Sequence, residues 1–314
     1  MIDTAAPSLR PDAPQNRRPA VLRSAGAGIN VLGTLTVACG LLSTANPLLA
    51  DDPTTTDVPT TTVVATSEAN WEHLNPARGD KSPSAATLWG DRNGTEATGF
   101  LIRPTDGFLS PPHIHNVTYR GVVISGLIHN DDPDATPMWM PAGSFWTQPA
   151  GEPHVTASLG EDTMAYIEID RGPYLVMPVD DAFDRGERPV NVDAANIVWL
   201  NGSSTTWINA AADTDDGPEI AFLWGNPQDD EPCGTLVRLP AGYNGVIRSR
   251  GATLRAVVIQ GLPKYSPNDG GEARPLQPGS YIGSTGATAH RIASGDTGCV
   301  IYVRSAGRFV VGEG

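Results

Sequence analysis

The chain has 314 residues with 35 acidic against 21 basic side chains, a net charge of −14. That length suits about two domains, and so acidic a chain without a basic patch excludes a nucleic-acid partner. The 34 glycines and 28 prolines, with no long charged helical stretch, point to an all-β chain of short strands and many turns.

Residues 1–50 read as an export signal. Arg17, Arg18 and Arg23 form a basic start, nothing from Ser24 to Ala50 is charged, and the segment between Ile29 and Leu49 is apolar. Leu48-Leu49-Ala50 then offers a small-residue cleavage end before Asp51. The uncharged run is long enough to span a bilayer, but its Gly, Ser, Thr and Asn content argues against an anchor. The mature chain is therefore expected without a membrane span, in the periplasm or outside the cell. Arg17-Arg18 resembles a weak twin-arginine signal, and Thr36-Val37-Ala38-Cys39 resembles a lipoprotein box, which leaves lipid anchoring at Cys39 as a minor alternative. Cys233 and Cys299 stay in the mature chain; two buried free thiols are favoured over a bridge. Residues 51–68, with repeated Pro-Thr-Thr-Thr, read as a flexible linker.

From Ala69 onward the chain repeats itself. Leu88-Trp89-Gly90 matches Leu223-Trp224-Gly225, Gly99 matches Gly234, Gly107-Phe108 matches Gly242-Tyr243, and Arg120 through Gly126 matches Arg255 through Gly261, all at an offset of 135. Gly143-Ser144-Phe145 and His154 match Gly279-Ser280-Tyr281 and His290 after one inserted residue. A fixed offset means a duplicated domain, with residues 69–187 as the first copy and 188–314 as the second. Short, turn-bounded apolar runs such as Gly99 to Arg103, Val122 to Ile128 and Met164 to Ile169 predict that each copy closes into a small antiparallel barrel or jelly roll. Trp89 and Trp224 are expected in the two cores.

The chemistry concentrates in the first copy. His113 and His115 lie two apart in a predicted strand, so their side chains share one face. His154 follows after a Gly- and Pro-punctuated segment. Gly107-x5-His113-x-His115 with Gly126 resembles the first cupin motif, and Gly143-x5-Pro149-x-Gly151-x2-His154 resembles the second. From Ala69 to the C-terminus the chain thus resembles a bicupin, and the wording around His115 resembles that of a family near the ChrR-like cupins. The resemblance implies two tandem double-stranded β-helix domains. It also implies a glutamate ligand where this chain has Tyr119 or Arg120, so the expected ligand set is His113, His115 and His154, with Tyr119 beside the ion as a donor or fourth ligand.

Three neutral imidazoles leave the charge of one divalent ion uncompensated, which favours a small anionic ligand. They also leave coordination positions open, as in catalytic rather than structural sites. Fe, Zn, Ni and Cu all suit imidazole. Glu152 is a candidate base or partner of His154, Glu168 is expected to face water or the barrel cavity, His129 to sit in a surface turn, and Asn116 to orient a ligand or make the turn. In the second copy the 135-residue offset sets Arg248, Arg250 and Leu254 against His113, His115 and Tyr119. That barrel is expected to lack metal, with an anion pocket of Arg248, Arg250 and His290 as the sharper alternative. The expected function is an exported bicupin using one divalent metal on a small anionic substrate, as an oxygenase or isomerase. The alternative is a non-catalytic small-molecule or metal-binding module, and a homodimer is compatible with either.

Overall fold

The computed structural model describes residues 59–209, 216–226, 231–251, 253–267 and 271–313; the segment expected to be an export signal, with Cys39, lies outside them. Among the described residues no helix is long and apolar enough to cross a membrane. The chain is all-β, two tandem cupin barrels joined side by side.

The first barrel is a seven-stranded sheet in the hydrogen-bonded order Val190–Val192, Phe145–Gln148, Tyr119–Asp131, Val155–Ile169, Thr98–Arg103, Ser84–Trp89 and Glu72–His73. Tyr119–Asp131 and Val155–Ile169 are long enough to bend round the barrel, with register shifts near Ser125 and Leu127 where they turn. A short antiparallel pair, Ile114–His115 with Val176–Met177, closes its mouth. The second barrel has two six-stranded sheets, one built around Thr253–Gly261 and Cys299–Ala306, the other around Asn244–Ser249 and Ala289–Ala293.

Alternation along the strands sends one face inward and the other into the seam between barrels. Phe100, Val123, Ala165 and Ile167 fill the first barrel. Their neighbours Leu101, Val122, Ile124 and Tyr166 pack instead against Leu236, Val257, Ile259 and Tyr302 of the second. Trp89 and Trp224 therefore belong to the seam rather than to either interior. Trp89 Nε1 donates to the Tyr166 hydroxyl at 3.0 Å, and Trp224 Nε1 donates to the Tyr302 hydroxyl at 2.8 Å. Gly99 and Gly234 make this possible: a Cβ would lie 2.2 Å from Trp89 Nε1 at the first and 1.8 Å from Trp224 Nε1 at the second.

Residues 61–68 depart from the linker expected there. Thr61–Val64, a β-branched run, pairs antiparallel with Tyr281–Thr285 at the edge of the second barrel. Val190–Val192, which follows the first barrel, pairs in turn with Phe145–Gln148 of the first barrel. One sheet edge in each barrel is thereby covered by the segment that leads into the next barrel or the previous one.

Cys233 and Cys299 are free and buried. They sit at opposite ends of one strand pair, Cys233 facing Ser305 and Cys299 facing Leu239, which separates them too far for a bridge.

Candidate metal centre

His113 and His154 exchange both backbone hydrogen bonds across the barrel, each at 3.0 Å. Directly opposed residues project side chains to the same face, and the two imidazole centroids lie 4.2 Å apart. His115, two residues along from His113, joins them at 5.0 Å from His113 and 5.2 Å from His154. Their ligand nitrogens all fall within 4.8 Å of one another.

The tautomers follow from the partners. His113 Nδ1 bonds the Pro111 carbonyl at 2.9 Å, His115 Nδ1 the Leu175 carbonyl at 2.8 Å, and His154 Nδ1 the Glu152 carbonyl at 3.2 Å. A carbonyl only accepts, so each Nδ1 carries the proton and each Nε2 keeps its lone pair. Burial depresses all three basicities: His154 is pushed down to about 3, by desolvation first and then by His113. His115 falls well below the usual histidine range for the same first reason. Three neutral, oriented imidazoles, His115 and His154 buried and His113 half-buried, form a donor set that fits a divalent ion.

A chain of hydrogen bonds runs from Tyr119 round to the carbonyl that holds His154. The Tyr119 hydroxyl donates to Asn130 Oδ1 at 2.8 Å and lies 3.3 Å from His154 Nε2. Asn130 Nδ2 donates to Gln148 Oε1 at 3.0 Å, and Gln148 Nε2 donates to the Glu152 carbonyl at 3.1 Å, the same carbonyl that His154 uses. Thr156 also donates to Asn130 Oδ1. Tyr119 thus stands in the site, where the resemblance would place a glutamate. Glu152 contributes its backbone carbonyl, while its carboxylate is absent from the cavity wall among the described residues.

Tyr174 escaped the sequence reading. Its ring stacks on His115 with centroids 4.3 Å apart and planes at 22°, and its hydroxyl donates to His115 Nε2 at 3.2 Å. Asn116 supplies the clamp: its Nδ2 donates to the Pro173 carbonyl and its Oδ1 accepts from the Leu175 amide, both at 2.9 Å. Asn116 therefore fastens the segment carrying Tyr174 over the histidines rather than making a turn. No local pattern near Tyr174 marks it; the pairing of His115 with Val176 brings it in.

His113 and His115 open on a cavity of about 300 Å³, with His154 buried behind them. Its wall is mostly apolar, including Leu74, Ile102, Phe108, Trp146, Ile167 and Met177.

Two further expectations change. His129 is buried beside Trp139, not in a surface turn. Glu168 faces neither water nor the barrel cavity but the seam, accepting from Tyr166, Tyr302 and Arg304.

The second barrel has no counterpart site among its described residues. Its ladder pairs His290 with Ile247, as His154 pairs with His113, so Ile247 and Ser249 occupy the positions of His113 and His115. Arg248 and Arg250 are one residue out of that register and exposed on the outer face, which removes the anion pocket with His290. Leu254, Tyr265 and Ile292 fill the places of Tyr119, Asn130 and Thr156, and all three are buried core. His290 is bonded to Ser284 and Tyr265.

The comparisons agree with this fold. Similar structures include a candidate dioxygenase from Nostoc punctiforme, at 14% identity over 79% of this chain and 82% of that one with a TM-score of 0.56. Another is protein YlbA from E. coli, at 13% identity over 78% and 90% with a TM-score of 0.53. A variant of Bacillus subtilis oxalate decarboxylase scores 0.49, at 12% identity over 78% and 77%. At such identities the first two establish the cupin fold and nothing finer, and the third carries no argument. No curated protein matches the chain. The family model described as a domain of unknown function, DUF4437, matches residues 62–311, and the chain belongs to that cupin-like family.

Proposed function

We propose that the first barrel binds one divalent metal through His113, His115 and His154 and acts enzymatically on a small, oxygen-bearing anion admitted by the cavity. The observation that carries this reading is the common tethering of the three Nδ1 atoms to backbone carbonyls, which leaves the three Nε2 lone pairs to a cluster whose ligand atoms lie within 4.8 Å of one another. A structural core histidine needs no such arrangement, and His290 shows the contrast, with both ring nitrogens bonded to side-chain hydroxyls.

A divalent ion at that point polarises a bound oxygen or makes a bound water more acidic. Tyr119 and Tyr174 hold protons beside it, since burial raises both phenols above their usual range. The apolar wall excludes water. Oxygenation or isomerisation is the reaction class proposed; the likeness to a candidate dioxygenase supports the first of these by analogy only. Export to the periplasm or beyond the cell is part of the proposal and rests on residues 1–50 alone.

Metal analysis of the purified protein tests the reading. About one equivalent of Fe, Zn, Ni or Cu is expected, lost in His113→Ala and His154→Ala. A protein that is isolated metal-free and takes up none of these ions refutes it. An oxygen-uptake screen of the loaded protein against small oxo and hydroxy acids then separates oxygenation from isomerisation.

A further inference from the structure

Arg78 gives the cavity a second polar pole. The segment Pro76–Lys81, helical turns kinked at Gly79, carries it as an exposed side chain at the cavity edge, and Asn75 caps the segment with its Oδ1 accepting from the Ala77 amide at 3.1 Å. The Ser82 hydroxyl accepts from the Asn75 amide at 2.9 Å, and the Leu74 amide donates to the Pro83 carbonyl at 2.9 Å, so both ends of the turn are fastened. Among the described residues Arg78 is the cationic side chain that lines the cavity, no aspartate or glutamate lines it, and Arg78 makes no ion pair. A chain of net charge −14 thus keeps acid out of this one place. With a divalent ion on three neutral imidazoles, the cavity would hold three positive charges and no compensating carboxylate.

We propose that the cavity takes a small, apolar-bodied monocarboxylate, with its carboxylate on the Arg78 guanidinium and a second oxygen function directed at His113, His115 and His154. This rests on the metal-centre reading above. The apolar wall between the two poles fits the body of such a molecule, and 300 Å³ is at the small end for ligand pockets. A guanidinium grips a carboxylate through two parallel hydrogen bonds, which a neutral amide or ketone cannot replace.

The test uses Co2+-loaded full-length protein, whose visible spectrum reports ligands near the ion. 5-Oxohexanoate and 4-acetylbenzoate, each with a ketone across an apolar body from its carboxylate, are titrated against the neutral analogues 5-oxohexanamide and 4-acetylbenzamide. The acids are expected to bind about tenfold or more tighter than their neutral partners, the size of one charge-assisted contact. Arg78→Met should abolish that preference and Arg78→Lys should keep part of it, with cobalt content and circular dichroism unchanged in both. If acids and neutral analogues bind alike, or if Arg78→Met retains the preference, the carboxylate does not use Arg78 and the proposal fails while the metal centre stands. If no cobalt binds, the metal-centre reading itself fails.

Discussion

Glu168 and Arg304 occupy equivalent places in the two barrels and meet in the seam between them, Glu168 Oε1 lying 3.2 Å from Arg304 Nη1. Their equivalence is set by the ladders: Glu168 pairs with Gly99 and Arg120, and Arg304 with Gly234 and Arg255. One ladder position thus carries opposite charges in the two barrels. Tyr302 donates to the same Glu168 oxygen at 2.7 Å, and Arg304 also reaches Asp170 at 2.8 Å. Two first barrels brought together through this face would bury glutamate against glutamate.

Breaking this pair should be costly because it strands a buried charge. Arg304→Met is expected to lose about 3–5 kcal/mol of stability in urea unfolding, because it leaves the buried Glu168 carboxylate without its cation, whereas Glu168→Ala leaves Arg304 its partner Asp170 and costs less. The double variant Glu168→Ala with Arg304→Met should lose clearly less than the sum of the singles, since neither charge is then left alone. Additive losses would show that the two do not interact.

Asn130 is expected to govern metal affinity without touching the ion. It accepts from Tyr119 and Thr156 and donates to Gln148, which in turn donates to the Glu152 carbonyl that His154 Nδ1 meets. Asn130→Leu should weaken Zn2+ binding by about 10–100-fold, as loss of an outer hydrogen-bond partner does, while the circular dichroism stays that of the native chain. Competition against a chelator dye measures it. Unchanged affinity would mean that packing alone orients His154.

The barrel fold and the three histidines were legible because they rest on short-range patterns, namely alternation, glycine spacing and His-x-His. The repeat offset was also legible, yet it failed by one residue where it mattered for chemistry. Aligning Arg248 with His113 reverses the faces of the whole strand, and the ladder instead places Ile247 there. Trp89 and Glu168 were misplaced for another reason: a strand pattern cannot distinguish a barrel interior from a seam when both faces are buried. Tyr174 and Arg78 reach the site on loops, through docking of backbone on backbone, and loops carry no period to read.

Tyr174 should act against metal binding through its hydroxyl. Its O–H donates to His115 Nε2, the atom that an ion needs, so binding must first break that hydrogen bond. Tyr174→Phe keeps the ring stacked on His115 and removes the competitor. Affinity for Zn2+ is expected to rise several-fold, in line with about 0.5–1.5 kcal/mol for one hydrogen bond. A fall in affinity would instead identify the phenol oxygen as a ligand.

His290 should make the metal-free protein acid-sensitive from within the second barrel. It is buried, and desolvation pushes it down to about 4, against about 6.5 in an unfolded chain. At pH 8 the ring is neutral in both states and contributes nothing to the pH slope. As pH falls below about 6.5 the unfolded chain takes up a proton that the folded chain refuses until about pH 4, so stability declines across that window. The loss from this one group approaches about 3 kcal/mol by pH 4. His290→Gln removes the titration and retains a polar side chain for Ser284 and Tyr265 to meet. Urea unfolding in EDTA at pH 7.5 and pH 5 should show the stability gap between wild type and His290→Gln narrowing or reversing at the lower pH. Parallel profiles for the two proteins would show that His290 titrates normally in the fold.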